Sequence, residues 1–298
     1  MHYRRFGKTD WQVSEIGLGG AWFYGRPEEG LQPVAYGVRV VERALELGVN
    51  YFDTAPLYGR GRSEEVLGVA LKGVKAPYYL ATKVGYFPEP FDYTHDTVWR
   101  GFEASLKRLQ RQSVDLLQIH EAVEAGKDGI FGKGRTLEAL LEIQSQGLAR
   151  HIGLTGLNAG FMRDVIEASD AFASVLTFCE YDLLVQEAKA VLMPAAARRD
   201  VAVIAASPLH GGLLGSKREQ WTKRGRFADL YPRLERVEAL LTEQPEGIAR
   251  IALRYLLSDP GVSLVLCGAA SVEELEACAS VSDGEVLSAQ LIEQIERV

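Results

Sequence analysis

Four polar residues of this chain have side chains suited to moving a proton at a carbonyl oxygen: Asp53, Tyr58, Lys83 and His120. A free tyrosine has a pKa of about 10, and a nearby ammonium such as that of Lys83 should lower this pKa by stabilising the phenolate. Asp53 would keep Lys83 charged and in place, while His120 could orient the carbonyl oxygen or relay a proton. The set suits protonation of a carbonyl oxygen while a cofactor supplies a hydride.

Each of these residues lies at or just beyond the end of an apolar run. Asp53 and Lys83 close two successive runs, Tyr58 lies in the loop after Asp53, and His120 closes the next run. Such apolar runs end near Gly20, Pro56, Gly85, His120, Gly156, Asp182, Leu209 and Ala269. Their continuous hydrophobicity is typical of a parallel sheet covered by helices. Helical patterns occupy 37–47, 63–72, 97–110, 136–147, 161–169, 186–199, 246–257 and 271–280.

Eight strand–helix units in 298 residues favour an α/β fold of the closed (β/α)8 TIM-barrel type over an open doubly wound sheet. Chemistry in such barrels occurs at the carboxyl ends of the strands, so the four polar residues should surround one spot. The segment 3–13, with its Gly-Lys-Thr-Asp turn, predicts an N-terminal β-hairpin that caps the bottom of the barrel. Segments 121–135 and 210–235 are expected to be irregular. We expect one domain over 1–298.

The composition excludes several classes of protein. A net charge of -7 argues against a nucleic-acid partner, and the apolar runs are too short for a membrane span. The N-terminus lacks the apolar core of a signal peptide, and the cysteines Cys179, Cys267 and Cys278 have no CxxC spacing. They indicate reduced thiols and a cytoplasmic location. The histidines show no HxxxH or HxH spacing, so a bound metal is not expected. The oligomeric state stays open.

Several segments resemble the aldo-keto reductase superfamily, in the same order over about residues 3 to 280. They are Gly48–Gly59, Ser63–Gly68, Thr82–Val84, Val114–His120 and Ser207–Leu209. The resemblance implies a (β/α)8 barrel that binds NADPH or NADH and acts on a small aldehyde, ketone or sugar carbonyl or on its alcohol. It also implies Tyr58 as the general acid/base, Asp53 and Lys83 as the residues that tune it, and His120 as the residue that positions the carbonyl.

The resemblance further implies a cofactor site, in which this chain departs from the family pattern. Thr155 and Gly156, with Asn158 close by, stand where a Ser-Asn pair commonly holds the nicotinamide carboxamide. Phe178 stands in place of a glutamine, and Ala206 in place of a stacking aromatic. The residues that resemble the pyrophosphate-covering segment are Ser207, Pro208, Leu209, Gly211, Leu214 and Lys217. Those of the adenosine-phosphate loop are Gly268, Ala270 and Glu274.

Ala270 replaces the cation that usually binds the 2′-phosphate of NADPH. Losing that charge-assisted contact should weaken the preference for NADPH, so that NADH is used comparably or better. Lys217 is the alternative source of a cation. A strong NADPH preference would indicate that it serves in this way.

Aromatic residues follow the first and third barrel strands. Trp22, Tyr86 and Phe87 could line a substrate pocket with His120, or could cover the edges of the barrel. Two other functions stay open at this point. Lys83 could form a Schiff base in an aldolase-type barrel, although pairing with Asp53 should keep it charged. The altered cofactor contacts could also belong to a cofactor-sensing regulatory protein with little turnover.

Overall fold

A computed structural model describes residues 1–25, 30, 32–86, 89–215, 218, 219, 225 and 227–298. Eight parallel strands form a closed barrel in which each strand pairs with its neighbours along the chain, and the last pairs with the first. These strands are β3 (Ile16–Gly19), β4 (Tyr51–Asp53), β5 (Tyr79–Val84), β6 (Val114–Ile119), β7 (Ala149–Gly156), β8 (Phe172–Phe178), β9 (Ala202–Ala206) and β10 (Leu264–Cys267). The predicted (β/α)8 barrel is confirmed.

Helices surround the barrel and follow the predicted segments. They span Val34–Glu46, Arg62–Ala70, His95–Leu109, Thr136–Ser145, Ala159–Ala168, Glu187–Val191, Met193–Arg199, Ile248–Leu257 and Val272–Ala279. Their apolar faces and the outward faces of the strands form the larger of two cores. None of the helices within the described ranges is long and apolar enough to cross a membrane.

The expectation that 121–135 and 210–235 are irregular is wrong for parts of both segments. Helices occupy Ala122–Phe131 and Tyr231–Leu241, and a further helix spans Ala289–Arg297 near the C-terminus. The first of these is kinked at Gly126, whose φ is +64°. Glycine interrupts the apolar periodicity there, which is why the pattern predicts a loop.

The N-terminal hairpin closes the bottom of the barrel, as predicted. Strands β1 (Tyr3–Arg5) and β2 (Gln12–Ser14) pair antiparallel, and the turn side chains Phe6 and Trp11 are buried in the second core, inside the barrel. Trp11 stacks on Tyr79, with ring centroids 4.5 Å apart. Tyr79 begins β5, so the hairpin fills the end of the barrel opposite the carboxyl ends of the strands.

Alternation along the strands determines which side chains enter the barrel. The interior core contains Tyr51, Ala81 and Leu116, and the residues two positions further along the same strands are Asp53, Lys83 and Gln118. Successive strand residues point to opposite faces, so these three also point inward. The upper end of the interior, here called the mouth, is therefore polar on the β4–β6 side.

Candidate active site

Asp53 ends β4, and its carboxylate lies inside the mouth between two donors. Lys83 of the adjacent strand forms a buried ion pair with Oδ1, and Gln118 Nε2 donates to Oδ2 at 2.7 Å. Lys83 Nζ also donates to the backbone oxygen of Thr54 at 2.9 Å. Asp53 and Lys83 are each 1% exposed. Removing either partner would leave a buried charge uncompensated, so the pair holds both groups in fixed positions.

Gln118 is a site residue that the sequence reasoning missed. It is fully buried, and its register partner on β5 is Lys83. A signal was present, since Gln118 is the polar member on the inward face of an apolar strand that runs from Val114 to Ile119. A buried amide in such a position requires a partner, and Asp53 is that partner.

A second buried carboxylate fixes β5 from the outside of the barrel. Thr82, which points away from the interior, donates to Glu64 Oε1 at 2.7 Å. Arg108 Nε donates to the other oxygen of Glu64 at 2.6 Å. Glu64 belongs to the helix Arg62–Ala70, so its hydrogen bond to Thr82 holds β5, the strand that carries Lys83, against this helix.

Tyr58 lies in the turn that joins β4 to that helix. Its backbone N–H donates to the Ala55 oxygen at 3.1 Å, and its own carbonyl accepts from Ser63 N at 3.2 Å. The Lys83 ammonium lies 4.9 Å from the centroid of the Tyr58 ring. The ring is nearly perpendicular to that of His120, with centroids 5.8 Å apart. The four residues predicted at the strand ends therefore lie together at the mouth.

The net direction predicted for the Tyr58 pKa is wrong. Burial raises the pKa of Tyr58 above its usual 10, Lys83 opposes this rise, and the negative charges of Asp53 and Glu121 add to it. Loss of hydration thus raises the Tyr58 pKa more than the Lys83 ammonium lowers it. The phenol is protonated at neutral pH and available as a proton donor, whereas forming the phenolate requires alkaline pH or a bound partner.

His120 directly follows β6 and is 5% exposed. Burial, reinforced by the charge of Lys83, holds the pKa of His120 well below its usual 6.5. Its backbone carbonyl accepts a 2.8 Å hydrogen bond from the Tyr93 hydroxyl, and the Tyr86 ring lies against it at 5.4 Å between centroids. A neutral imidazole held in this way suits orientation of a carbonyl oxygen better than relay of a proton.

Two residues predicted to contact the nicotinamide carboxamide have different surroundings. Thr155, at the end of β7, is 1% exposed, and its hydroxyl oxygen accepts from Glu121 N at 3.3 Å. The Thr155 hydroxyl keeps the capacity to donate one hydrogen bond of its own. Asn158 is exposed, and its Oδ1 accepts from Phe161 N at 3.0 Å as the N-cap of the helix Ala159–Ala168. Gly156 ends β7 between them.

Opposite the polar residues, the mouth is apolar. Phe178 and Ala206 are register partners at the ends of β8 and β9, and both join Leu266 of β10 in the interior core. Phe178 is partly exposed. This surface, with the Thr155 hydroxyl at its edge, fits a planar ring that carries an amide, as the nicotinamide of NAD(P)H does.

The segment after β9 forms successive tight turns. Ser207 has φ +55°, Pro208 is buried, Leu209 is partly exposed and Gly211 is exposed, while Leu214 is buried. A buried His210–Asp182 hydrogen bond of 2.7 Å anchors these turns to the segment that follows β8. His210 is thus a structural anchor of the predicted pyrophosphate-covering loop.

The loop after β10 is braced by an acidic side chain. The Ala270 N–H donates to Glu274 Oε2 at 2.9 Å, and the Glu274 N–H donates to Ser271 Oγ at 3.2 Å. Ala270 is 2% exposed, whereas Gly268 is exposed. A carboxylate therefore lies next to the position at which the family pattern has a cation.

Trp22 lies beside this same loop. A Cβ atom placed on Gly268 would be 3.2 Å from the Trp22 indole. Tyr86, in contrast, lies against His120. Phe87 and Lys217, predicted for the substrate pocket and the cofactor, are outside the described residues.

The charge state of Lys83 bears on the Schiff-base alternative. Burial alone would lower the pKa of Lys83, but the charges of Asp53 and of the Tyr58 phenolate outweigh burial and raise it above its usual 10.5. A protonated amine is not a nucleophile, so this environment disfavours imine formation. Within the part of the chain that is described, no three His, Cys, Asp or Glu side chains are grouped as metal ligands.

Comparison with known proteins agrees with this geometry. The model of the Aldo/keto reductase family matches residues 15–298. L-galactose dehydrogenase from Arabidopsis thaliana is 32% identical, with 93% of this chain and 86% of that protein covered. Pyridoxal 4-dehydrogenase from Microbacterium luteolum is 28% identical, with 91% and 90% covered.

A solved structure is also similar over the whole chain. The aldo-keto reductase of Bacillus halodurans in its holo form superposes with a TM-score of 0.85 at 28% identity, covering 100% of this chain and 96% of that one. The glycerol dehydrogenase of Gluconobacter oxydans has a TM-score of 0.78 at 24% identity, with 99% and 94% covered, a likeness of fold.

Proposed function

The chain belongs to the aldo/keto reductase family, a family of NAD(P)(H)-dependent oxidoreductases, and on that premise we propose that Tyr58 is its general acid/base. The single observation that carries the proposal is the buried Asp53–Lys83 pair beside the Tyr58 ring. We further propose that residues 1–298 form one domain that carries the complete site.

Each of the four polar residues has a separate role in the proposal. When bound, the nicotinamide cofactor supplies the hydride in reduction and accepts it in oxidation. In reduction, Tyr58 Oη donates its proton to the carbonyl oxygen, and Lys83 stabilises the phenolate that remains. Asp53, held by Gln118, keeps Lys83 charged and in place. The neutral His120 ring orients the carbonyl oxygen toward Tyr58.

The pH dependence of the two directions follows from the Tyr58 pKa. Since burial keeps the phenol protonated at neutral pH, reduction finds its proton donor in place. Oxidation of an alcohol requires the phenolate, so its rate should rise as the pH increases into the alkaline range. General acid–base catalysis of this kind contributes a factor of about 10² to 10⁴.

The cofactor would lie across the apolar side of the mouth, with Thr155 at the carboxamide end and the loop after β10 at the adenosine end. We propose that NADH is used at least as well as NADPH. Ala270 offers no cation, and the neighbouring Glu274 carboxylate repels a 2′-phosphate, whereas a carboxylate accepts hydrogen bonds from the ribose hydroxyls of NAD. A ratio of kcat/KM values strongly in favour of NADPH would overturn this preference and point to Lys217.

The substrate is a small carbonyl compound or its alcohol, and we propose an aldehyde, ketone or sugar. The similarity to a plant protein named L-galactose dehydrogenase favours a sugar among these. The test is fluorescence titration with NADH and NADPH, followed by a panel of aldehydes, ketones and sugars assayed in both directions.

Binding of either cofactor followed by turnover on the panel is the expected result. Cofactor binding without turnover on any member would overturn the proposal and favour the cofactor-sensing function. Borohydride trapping of a substrate on Lys83 would favour the Schiff-base alternative instead.

A further inference from the structure

Gln118 has a buried acceptor as well as the donor that it directs to Asp53. A carboxylate only accepts hydrogen bonds, so the 2.7 Å contact with Asp53 Oδ2 must be made by the amide nitrogen. This contact fixes the orientation of the amide group and turns its Oε1 away from Asp53. Gln118 is fully buried, and within the described part of the chain no group donates to Oε1.

The hydroxyl group of Ser174, on β8, is also buried without a partner. Ser174 is fully buried, and none of the described residues forms a hydrogen bond with its Oγ. Leu176 and Phe178, further along the same strand, line the interior core, so alternation directs Ser174 into the barrel as well. Ser174 is thus two layers below Phe178, the last residue of the strand, and lies beneath the mouth.

Gly153 of β7 separates these two side chains. Gln118 is the register partner of Gly153, and Gly153 is the register partner of Ser174, so the three form one row around the barrel. A Cβ atom placed on Gly153 would be 2.4 Å from Ser174 Oγ and 3.2 Å from Gln118 Cγ. The absence of a side chain at Gly153 therefore lets Gln118 and Ser174 face each other across β7.

The two unpartnered atoms are chemically complementary. Oε1 of Gln118 can only accept a hydrogen bond, whereas the Ser174 hydroxyl can donate and accept. They do not bond to each other directly, and a water molecule between them would satisfy both. The Tyr51 hydroxyl is a further group of the interior core without a partner in the described ranges. An interior with several such polar atoms favours an ordered water over an empty apolar cavity.

We propose that an ordered water is bound inside the barrel between Gln118 Oε1 and Ser174 Oγ, and that Ser174 is thereby a positioning residue for Asp53. The water accepts from the Ser174 hydroxyl and donates to Oε1. This arrangement keeps the amide nitrogen directed at Asp53, which in turn holds Lys83 beside Tyr58. The inference rests on the proposed function and adds the support beneath the proton donor.

Loss of the Ser174 hydroxyl should disturb this arrangement from below. The water would lose one of its two anchors, and Oε1 would be left buried with a weakened donor or none. An amide that rotates to relieve this would place Oε1 against the Asp53 carboxylate. Since catalysis depends on exact placement of the reacting groups, such a shift should lower turnover without a change in any group that contacts the substrate.

A high-resolution crystal structure of the parent enzyme tests the water directly. We expect electron density for one water within hydrogen-bond distance of both Gln118 Oε1 and Ser174 Oγ. A site without this density would overturn the proposal. This measurement needs no variant, so it decides the question even if a substitution prevents folding.

Steady-state kinetics on the best substrate of the panel test the role of Ser174. In Ser174→Ala, kcat should fall by about 10-fold, while KM and the cofactor Kd stay unchanged. Gln118→Leu should lower kcat at least as much. The double variant should be no slower than Gln118→Leu alone, because Ser174 acts only through Gln118. Ser14→Ala removes an equally buried hydroxyl in the hairpin at the other end of the barrel, and should leave kcat unchanged.

The outcomes separate the inference from the proposed function. An unchanged kcat in Ser174→Ala, or losses that multiply in the double variant, would overturn the positioning role of Ser174. A parent enzyme that binds a cofactor but turns over no member of the panel would overturn the proposed function. The crystal structure would still decide whether the water is present.

Discussion

Replacement of Glu121 by glutamine should stabilise the protein, and by an amount that grows with pH. The change keeps the shape of the side chain and removes its charge. Burial raises the pKa of this carboxyl from its usual 4.5 to about 7, so the folded state disfavours the ionised form. The cost is absent below about pH 4.5, where folded and unfolded chains are both protonated. It is fully present above about pH 7.

The magnitude follows from the two pKa values. A tenfold change in an ionisation constant corresponds to about 1.4 kcal/mol, which gives a ceiling of about 3 kcal/mol for Glu121. Partial exposure and solvent screening reduce this ceiling, so we expect Glu121→Gln to gain about 1–3 kcal/mol at pH 8 and less than about 1 kcal/mol at pH 5.

Urea unfolding of the parent and the variant, followed by tryptophan fluorescence from pH 5 to pH 8, measures this difference. Glu103→Gln makes the same chemical change on the exposed face of the helix His95–Leu109 and is the matched control. A stability difference that stays constant or shrinks as the pH rises would refute the claim that burial of Glu121 is costly.

Two other substitutions test the site and the fold. Lys83→Met removes the charge that opposes the rise of the Tyr58 pKa. The alkaline limb of the pH–rate profile for alcohol oxidation should therefore move to higher pH, and kcat/KM should fall by about 10² or more. A pH–rate profile that keeps its position would contradict this. Gly7→Ala should destabilise the protein by about 1–3 kcal/mol, because φ is +52° and the new Cβ would lie 2.5 Å from Ala202 N. Gly147→Ala is the control, because Gly147 also has a positive φ, of +74°, but has open space around it. It measures the cost of placing alanine at a positive φ without a clash. Equal losses of thermal stability in the two glycine variants would refute the proposed clash.

Much of the fold is predictable from local patterns. Continuous apolar runs and capped helical segments identify the barrel strands and their helices. Each strand–helix unit buries both faces of its strand and the inner face of its helix, so the pattern repeats along the chain. The pattern does not predict the helix Ala122–Phe131, because glycine breaks its periodicity. The co-location of Asp53, Tyr58, Lys83 and His120 also follows from topology, since parallel strands end at one rim.

What the patterns could not give depends on three-dimensional surroundings. The pKa of Tyr58 reflects a balance between burial and Lys83, and burial is a property of the folded mouth. The Gln118–Asp53 hydrogen bond likewise arises from which side chains face each other across strands. Asn158 follows Thr155 and Gly156 closely in the sequence, which is why the family pattern places it at the carboxamide. In the structure its side chain caps the helix Ala159–Ala168.

The most direct test of the central claim is the Tyr58→Phe variant, assayed for turnover and for cofactor affinity in the same preparation. Phenylalanine keeps the ring that packs against His120 and Lys83 and removes only the hydroxyl group. We predict that kcat falls by about 10² to 10⁴, while the Kd for NADH or NADPH measured by fluorescence titration stays unchanged. Turnover close to that of the parent enzyme would contradict the assignment of Tyr58 as the proton donor.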